Sequence, residues 1–533
     1  MRRFLSVVTV LVVSAAAAVA EPARPAPSAQ TPSQATEPAR QTAPGRPLPT
    51  PSAVPPAVET ERLSTTTGHS VRVDGHDVRY TAVAGTLPVR DDKGAVSANM
   101  FFVAYTRDGE DAARRPIAFL YNGGPGSASI WLHMGSFGPR RVRMADEGLQ
   151  PAPPFTLVDN EHSLLDVIDL VFVDAIDTGF SRPAAGVDPK QFHGVRGDIR
   201  AFGEFIRTYL TRFSRWSSPK YLMGESYGTM RSAGLAGELQ GRHGIELNGV
   251  VLISSVLDYL TKGYASGNDL PYVIFLPTYT ATAWYHRKLA PDLQGNLTKA
   301  VDEARQFSTG EYLAALVQGN RLTAEARKQI AAKLARLTGL SADYIERSNL
   351  RVSDSRFRTE LLRAERRTVG RLDGRFTGMD ADAAGERQEY DPSDLAIKGA
   401  FTATFNDYAR DELKWETDLA YPTSGNVRPW SYDEFENRYL NLADTLRGVM
   451  ARNPFVKVFV ANGYFDFATP FGGTEHTFAH LGYEPTYRDR VELAYYEAGH
   501  MMYIRPSEHR RLTQDVARFV RATSGTTARG TRN

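Results

Sequence analysis

The sequence predicts an α/β protein: a mostly parallel central sheet flanked by helices, with a helical insertion. Three observations predict it. Short apolar runs bounded by turn residues recur along the chain, amphipathic helical stripes lie between them, and a long middle stretch offers helical patterns but few strands. The chain has 533 residues, 42% of them hydrophobic and 23% charged, so a sizeable core is available. Its 63 basic and 61 acidic residues leave a formal charge of +2, which gives no electrostatic basis for a nucleic-acid partner or an anionic membrane surface.

The first segment, Met1-Arg2-Arg3 followed by an apolar run to Val13 and the small-residue end Ala18-Val19-Ala20, has the order of a secretory signal. Cleavage is expected after Ala20, giving a signal peptide over 1–20 and a secreted, periplasmic or extracellular product with no membrane anchor. Residues 21–58 are dominated by Pro, Ala, Ser, Thr and Gln and cannot bury enough apolar surface to order themselves, so they read as a disordered linker. The folded domain is expected over 59–523, with a polar tail over 524–533. The chain has no cysteine, which rules out both disulfides and a cysteine-linked lipid. Nothing in the sequence sets an oligomeric state.

Within the domain, alternating runs such as 70–73 and 100–105, separated by Asp-Gly and Lys-Gly turns, read as antiparallel strands at one sheet edge. Apolar runs at 117–121, 170–173, 221–223, 250–253, 456–460 and 491–495 read as buried strands. Between them, Ile199, Phe202, Ile206 and Tyr209 share one helical face, as do Leu512, Val516, Phe519 and Val520 near the end. Residues 259–420 break the alternation and are expected to form a helical cap inserted into the domain. There, Ser308 with Glu311 fits a capping box, and Ile330, Leu334 and Leu337 form a stripe ended by Gly339.

Gly224-Glu225-Ser226-Tyr227-Gly228 follows the strand at 221–223 and precedes a helical segment, as expected for the nucleophile turn of an α/β-hydrolase fold. A serine hydroxyl needs a base to take its proton, and in this fold the acid and then the histidine follow the serine in the chain. Asp466 lies after the strand at 456–460, and His500 after the strand at 491–495. Among eleven histidines, His509 falls in the terminal helix and His476 and His480 in a helical stretch, which leaves His500 as the one after the last strand. The expected triad is therefore Ser226, Asp466 and His500. The oxyanion formed by attack needs backbone donors, one from Tyr227 and one from the loop Asn122-Gly123-Gly124-Pro125-Gly126 after the strand at 117–121. No cofactor or metal is called for. There is no His-Glu-x-x-His helix, and the glycine loop lacks the lysine and the Ser/Thr of a phosphate loop as well as the spacing of a dinucleotide fingerprint.

These motifs resemble those of the serine carboxypeptidases: an Asn-Gly-Gly-Pro-Gly loop, a Gly-Glu-Ser-Tyr-Gly elbow, a late aspartate and a Gly-His-Met turn, in that order. The resemblance runs on through Phe137-Gly138-Pro139, the 174–181 segment and Pro506, and so covers most of the domain. It implies hydrolysis of peptides from a free C-terminus through an acyl-enzyme. Matching positions imply Gly124 and Tyr227 as oxyanion donors, with Asn122 and Glu225 near the substrate's terminal carboxylate. A neutral Glu225 could donate to that carboxylate whereas its anion would repel it, which favours acidic conditions.

Four positions depart from the family pattern. Leu120 stands for a tryptophan, Ser136 for the glutamate that partners the elbow glutamate, Ser127 for a cysteine, and Asp177 for a glycine. With that partner missing, Arg140 or Arg141 is a candidate carboxylate ligand, since arginine pairs bidentately. The same acyl-enzyme would also serve an esterase or acyltransferase. A noncatalytic binding module is the alternative of another class.

Overall fold

The apolar runs assemble into one sheet because most are buried on both faces and find partners only beside one another. The computed structural model describes residues 62–482 and 484–525. Its strands are β1 (Arg62–Val73), β2 (His76–Arg90), β3 (Val96–Arg107), β4 (Ile117–Tyr121), β5 (Asp169–Val173), β6 (Lys220–Glu225), β7 (Gly249–Ile253), β8 (Lys457–Gly463) and β9 (Val491–Tyr496). They lie in the order β1-β2-β3-β5-β4-β6-β7-β8-β9, and the two-residue strand Arg182–Pro183 pairs with β3. The first three form an antiparallel meander, and β4 to β9 run parallel. Every strand expected from the sequence is present.

The helices of nine or more residues are α1 (Val195–Arg212), α2 (Tyr227–His243), α3 (Leu270–Tyr285), α4 (Leu297–Phe307), α5 (Ala324–Thr338), α6 (Pro392–Asp411), α7 (Ala443–Arg452), α8 (Phe471–Ala479) and α9 (Pro506–Thr523). Alternation along each strand feeds two cores. Leu222 of β6 joins Ile199, Phe202 and Ile206 of α1 and Leu446 of α7. Tyr221 and Met223 join Leu512, Val516 and Phe519 of α9 on the opposite face.

Residues 259–420 hold α3 to α6, with a third core that includes Tyr279, Leu334 and Phe357. Two departures from simple segregation matter for the site. Phe467, which belongs to the loop after β8, packs against both Tyr279 and Phe357 of this third core, which stack directly on each other at 4.2 Å. Conversely, Phe401, Phe405 and Tyr408 of α6 pack into the sheet's own core.

The capping box at Ser308 is not formed. The helix runs on from α4 through a wider turn over Ser308–Tyr312 into Leu313–Gln318, and the Ser308 hydroxyl donates back to the Arg305 carbonyl at 3.0 Å. Burial of Phe307, Tyr312, Ala315 and Leu316 on one continuous face outweighs the local stop signal. The actual N-cap is Asn296, whose side chain accepts from the Lys299 amide at 2.9 Å. Gly339 does end α5, at φ +72°. No helix among the described residues is long and apolar enough to cross a membrane. The expected signal over 1–20 and linker over 21–58 lie outside the described residues.

Arg231 of α2 is fully buried, with Nε and Nη2 on the Asp198 carboxylate at 2.8 and 3.1 Å and Nη1 on the Asn122 carbonyl at 2.6 Å. Rings of Tyr121, Phe202 and Tyr227 face the guanidinium. Arg231→Met alone should cost about 3–5 kcal/mol in denaturant unfolding, because it strands a buried carboxylate. Adding Asp198→Leu should recover most of that loss.

Candidate active site

The end of β6 turns into α2 through Ser226, held at φ +60° and ψ −129°. That left-handed conformation is costly for serine and persists only where its surroundings fix it. Here the Ser226 amide donates to the Ile253 carbonyl at 3.0 Å, and its carbonyl accepts from the Thr229 amide at 2.8 Å. At Gly224 a Cβ would fall 2.2 Å from the Gly228 carbonyl oxygen, so the tight turn requires glycine. Ser226 itself is half-buried.

The glycine loop after β4 meets this turn backbone to backbone. A Cβ on Gly123 would lie 2.4 Å from the Tyr227 nitrogen and 2.6 Å from that of Gly228. Gly124 follows, and its neighbours Gly123 and Ser127 close the loop by a 3.0 Å hydrogen bond from the Ser127 amide to the Gly123 carbonyl. Tyr227 is the first residue of α2, so its amide has no acceptor within the helix and sits at the end that favours negative charge. The two amides expected from the sequence therefore belong to segments in contact.

The loops after β8 and β9 bring Asp466 and His500 together. Asp466 is completely buried, and its Oδ2 receives His500 Nδ1 at 2.7 Å. The rest of that carboxylate is satisfied by the amides of Ala468 and Thr469 at 2.8 and 3.0 Å and by the Thr469 hydroxyl at 2.7 Å. This arrangement fixes the imidazole with a proton on Nδ1, leaving Nε2 as the basic nitrogen.

The histidine turn is braced from the insertion. The His500 amide donates to the Leu372 carbonyl at 2.7 Å, and the Gly499 amide donates to Asp373 Oδ2 at 3.0 Å. Arg375 clamps the buried Asp373 through Nε and Nη2. From the sheet side, the Ser254 hydroxyl donates to the His500 carbonyl at 2.6 Å.

Next to Ser226, Glu225 is 2% exposed. Asn122 Nδ2 donates to its Oε1 at 2.9 Å and the Tyr503 hydroxyl to its Oε2 at 2.6 Å. Burial pushes the Glu225 carboxyl up to about 7, against the pull of His500, Tyr503 and Asn122, with Asp466 adding to the rise. Asn122 and Glu225 are thus paired with each other, and Glu225 directly precedes Ser226 in the chain.

Thr469, Asp373, Arg375 and Tyr503 were not singled out from the sequence. Only Thr469 carried a local signal, an aspartate three residues before a threonine in a turn. Arg140 and Arg141 are corrected as carboxylate ligands, because each is already committed to acids. Arg140 pairs with Asp159 and with Glu412, and Arg141 with Glu161 at 2.9 Å.

The departures have local explanations. Asp177 adopts φ +65°, where aspartate is tolerated, and its carboxylate meets His193 Nε2 at 2.7 Å. Ser127 forms a backbone bridge to Ser424 and accepts from the Trp131 indole at 3.0 Å, while Leu120 is fully buried in β4. Ser136 donates to the Leu132 carbonyl at 2.7 Å. Among the described residues, no three His, Cys, Asp or Glu side chains are grouped as metal ligands would be.

A raised carboxyl makes a signed prediction. Below its ordinary 4.5, Glu225 is protonated in both folded and unfolded chains and costs nothing, and from there to about 7 its burial increasingly opposes folding. Glu225→Gln removes that opposition. The stability difference, variant minus wild type, should grow by about 3 kcal/mol between pH 4.5 and pH 8 in urea unfolding.

The profile of a family described as serine carboxypeptidase matches residues 75–514. Among solved structures, the chain is similar to a prohormone-processing carboxypeptidase from Saccharomyces cerevisiae, with a TM-score of 0.51 and 16% identity over 83% of this chain and 91% of that one. At that identity the likeness speaks to the fold alone. It is also similar to a proline iminopeptidase from Mycobacterium smegmatis, at 13% identity and a TM-score of 0.33 over 82% of this chain and 98% of that one. For a thermostable carboxyl esterase from Bacillus coagulans the values are 12% and 0.35, again over 82% and 98%.

Proposed function

Since the chain belongs to the serine carboxypeptidase family over residues 75–514, we propose that it removes single residues from the free C-terminus of peptides through an acyl-enzyme on Ser226. His500 Nε2 takes the Ser226 proton as Oγ attacks the last peptide carbonyl, and Asp466 stabilises the imidazolium that forms. The amides of Gly124 and Tyr227 receive the oxyanion. His500 then hands its proton to the departing amine, and water, activated by the same imidazole, releases the acyl group.

The observation that carries the exopeptidase reading is the buried Asn122–Glu225 hydrogen bond directly beside the nucleophile. A site for neutral esters has no use for a buried carboxyl there, because burying it is costly. A site for a terminal carboxylate does, since Asn122 and protonated Glu225 together present two donors to it.

The domain limits follow the same reading. Residues 59–523 form the catalytic domain, and 259–420 a cap whose helices shape the pocket for the departing residue, coupled to the acid loop through Phe467. Export through the signal over 1–20, with the linker over 21–58, places the enzyme in a periplasm or outside the cell.

The test is mass spectrometry of one blocked peptide, offered as the free acid and as the C-terminal amide. Wild type should shorten the acid stepwise and cleave the amide far more slowly. Ser226→Ala should lose about a millionfold in kcat, and Asp466→Asn about ten-thousandfold. Cleavage of esters without cleavage of either peptide would move the assignment to an esterase or acyltransferase.

A further inference from the structure

Tyr503 is the one group on the Glu225 carboxyl to which the mechanism above gives no task. Asn122 and Tyr503 divide the two carboxyl oxygens between them, at 2.9 and 2.6 Å. The Asn122 amide cannot be turned round, because its Oδ1 already accepts from the Leu132 amide at 3.0 Å. Tyr503 is held as firmly. Its ring lies against Gly135, where a Cβ would come within 2.7 Å of Cε2. The next residue, Ser136, turns away: its hydroxyl serves Leu132, and its carbonyl is met by Asn160 and His509, each at 2.7 Å. The titratable and charged groups facing Glu225 are therefore Tyr503, His500 and Asp466, with Asn122 as the neutral donor.

We propose that Tyr503 is a positioning residue that lets a single carboxyl read the substrate's terminal carboxylate, and that its hydrogen bond sets the pH at which that reading stops. The proposal rests on the carboxypeptidase reading of the site. Above about pH 7 the free enzyme holds Glu225 as the anion, to which the phenol and the Asn122 amide both donate. Below that pH Glu225 already carries the hydrogen it donates to a substrate oxygen, and above it binding a terminal carboxylate first requires one proton from solvent. The phenol's own ionisation is pushed well above its ordinary range by burial and by Glu225, so it stays a neutral hydroxyl throughout. Two carboxyls sharing a proton titrate in coupled steps. A carboxyl and a phenol lose one proton once, so recognition ends in a single step near neutrality.

The test reads a ratio, kcat/KM for a blocked dipeptide as the free acid divided by that for its C-terminal amide, between pH 4.5 and pH 9. The ratio cancels His500, which serves both substrates. In the wild type it should be level at low pH and fall about tenfold per pH unit above about 7. Tyr503→Phe removes a donor to the anion, so the midpoint should move up by about one pH unit. Gly135→Ala, which displaces the ring, should move it the same way. Glu225→Gln should leave a ratio that does not vary with pH. Fluorophosphonate labelling of Ser226 shows that each variant has kept its site. If Tyr503→Phe and Gly135→Ala depress both substrates in parallel with the midpoint unmoved, Tyr503 is structural and the proposal is overturned. If the wild type shows no preference for the acid at any pH, the carboxypeptidase reading itself falls, and the proposal with it.

Discussion

The site depends on one backbone contact, the approach of the loop after β4 to the first amides of α2. No side chain could be interposed there, since even a methyl group on Gly123 would overlap the Tyr227 nitrogen. The contact ties the strained serine, the Tyr227 amide and the Asn122–Glu225 pair into one rigid body. Arg231 reinforces it from behind by holding the Asn122 carbonyl to the same helix that begins at Tyr227. A buried guanidinium is an expensive strut, yet with a bidentate carboxylate and three aromatic faces around it the charge is fully compensated.

The second half of the site is held differently. Asp466 and His500 come from loops after two neighbouring parallel strands, and the sheet alone sets only the starting points of those loops. Their final placement is completed by the insertion. Phe467 is stacked into the insertion's aromatic core immediately beside Asp466, while Leu372 and Asp373 take the amides of His500 and Gly499. The acid and the base are thus supported from the same outside segment.

Much of this was legible in the sequence, because the signals were local and repeated. The parallel strands announce themselves as apolar runs, and the elbow as two glycines flanking a serine between strand and helix. What stayed hidden was long-range. Tyr503 looks like any aromatic residue after a turn, and its meaning comes from Glu225, far away in the chain. Asp373 and Arg375 sit in a stretch with no catalytic motif, and Arg231 reads as an ordinary helix residue. The capping box at Ser308 failed for the opposite reason, since a correct local pattern was overridden by burial of Phe307 and Tyr312 on one face. The arginines at 140 and 141 were misread because the acids that engage them, among them Glu412, come from segments that sequence alone could not place nearby.

The brace from Leu372 and Asp373 to the histidine turn has an evolutionary corollary. An insertion that merely covered a pocket could be exchanged freely, and new specificities could be acquired by swapping it whole. Here Leu372 and Asp373 hydrogen-bond the backbone of His500 and Gly499, so exchanging the whole segment would remove those contacts with it. Changes confined to α4 and α5 would leave those hydrogen bonds in place, whereas changes within 371–375 would not.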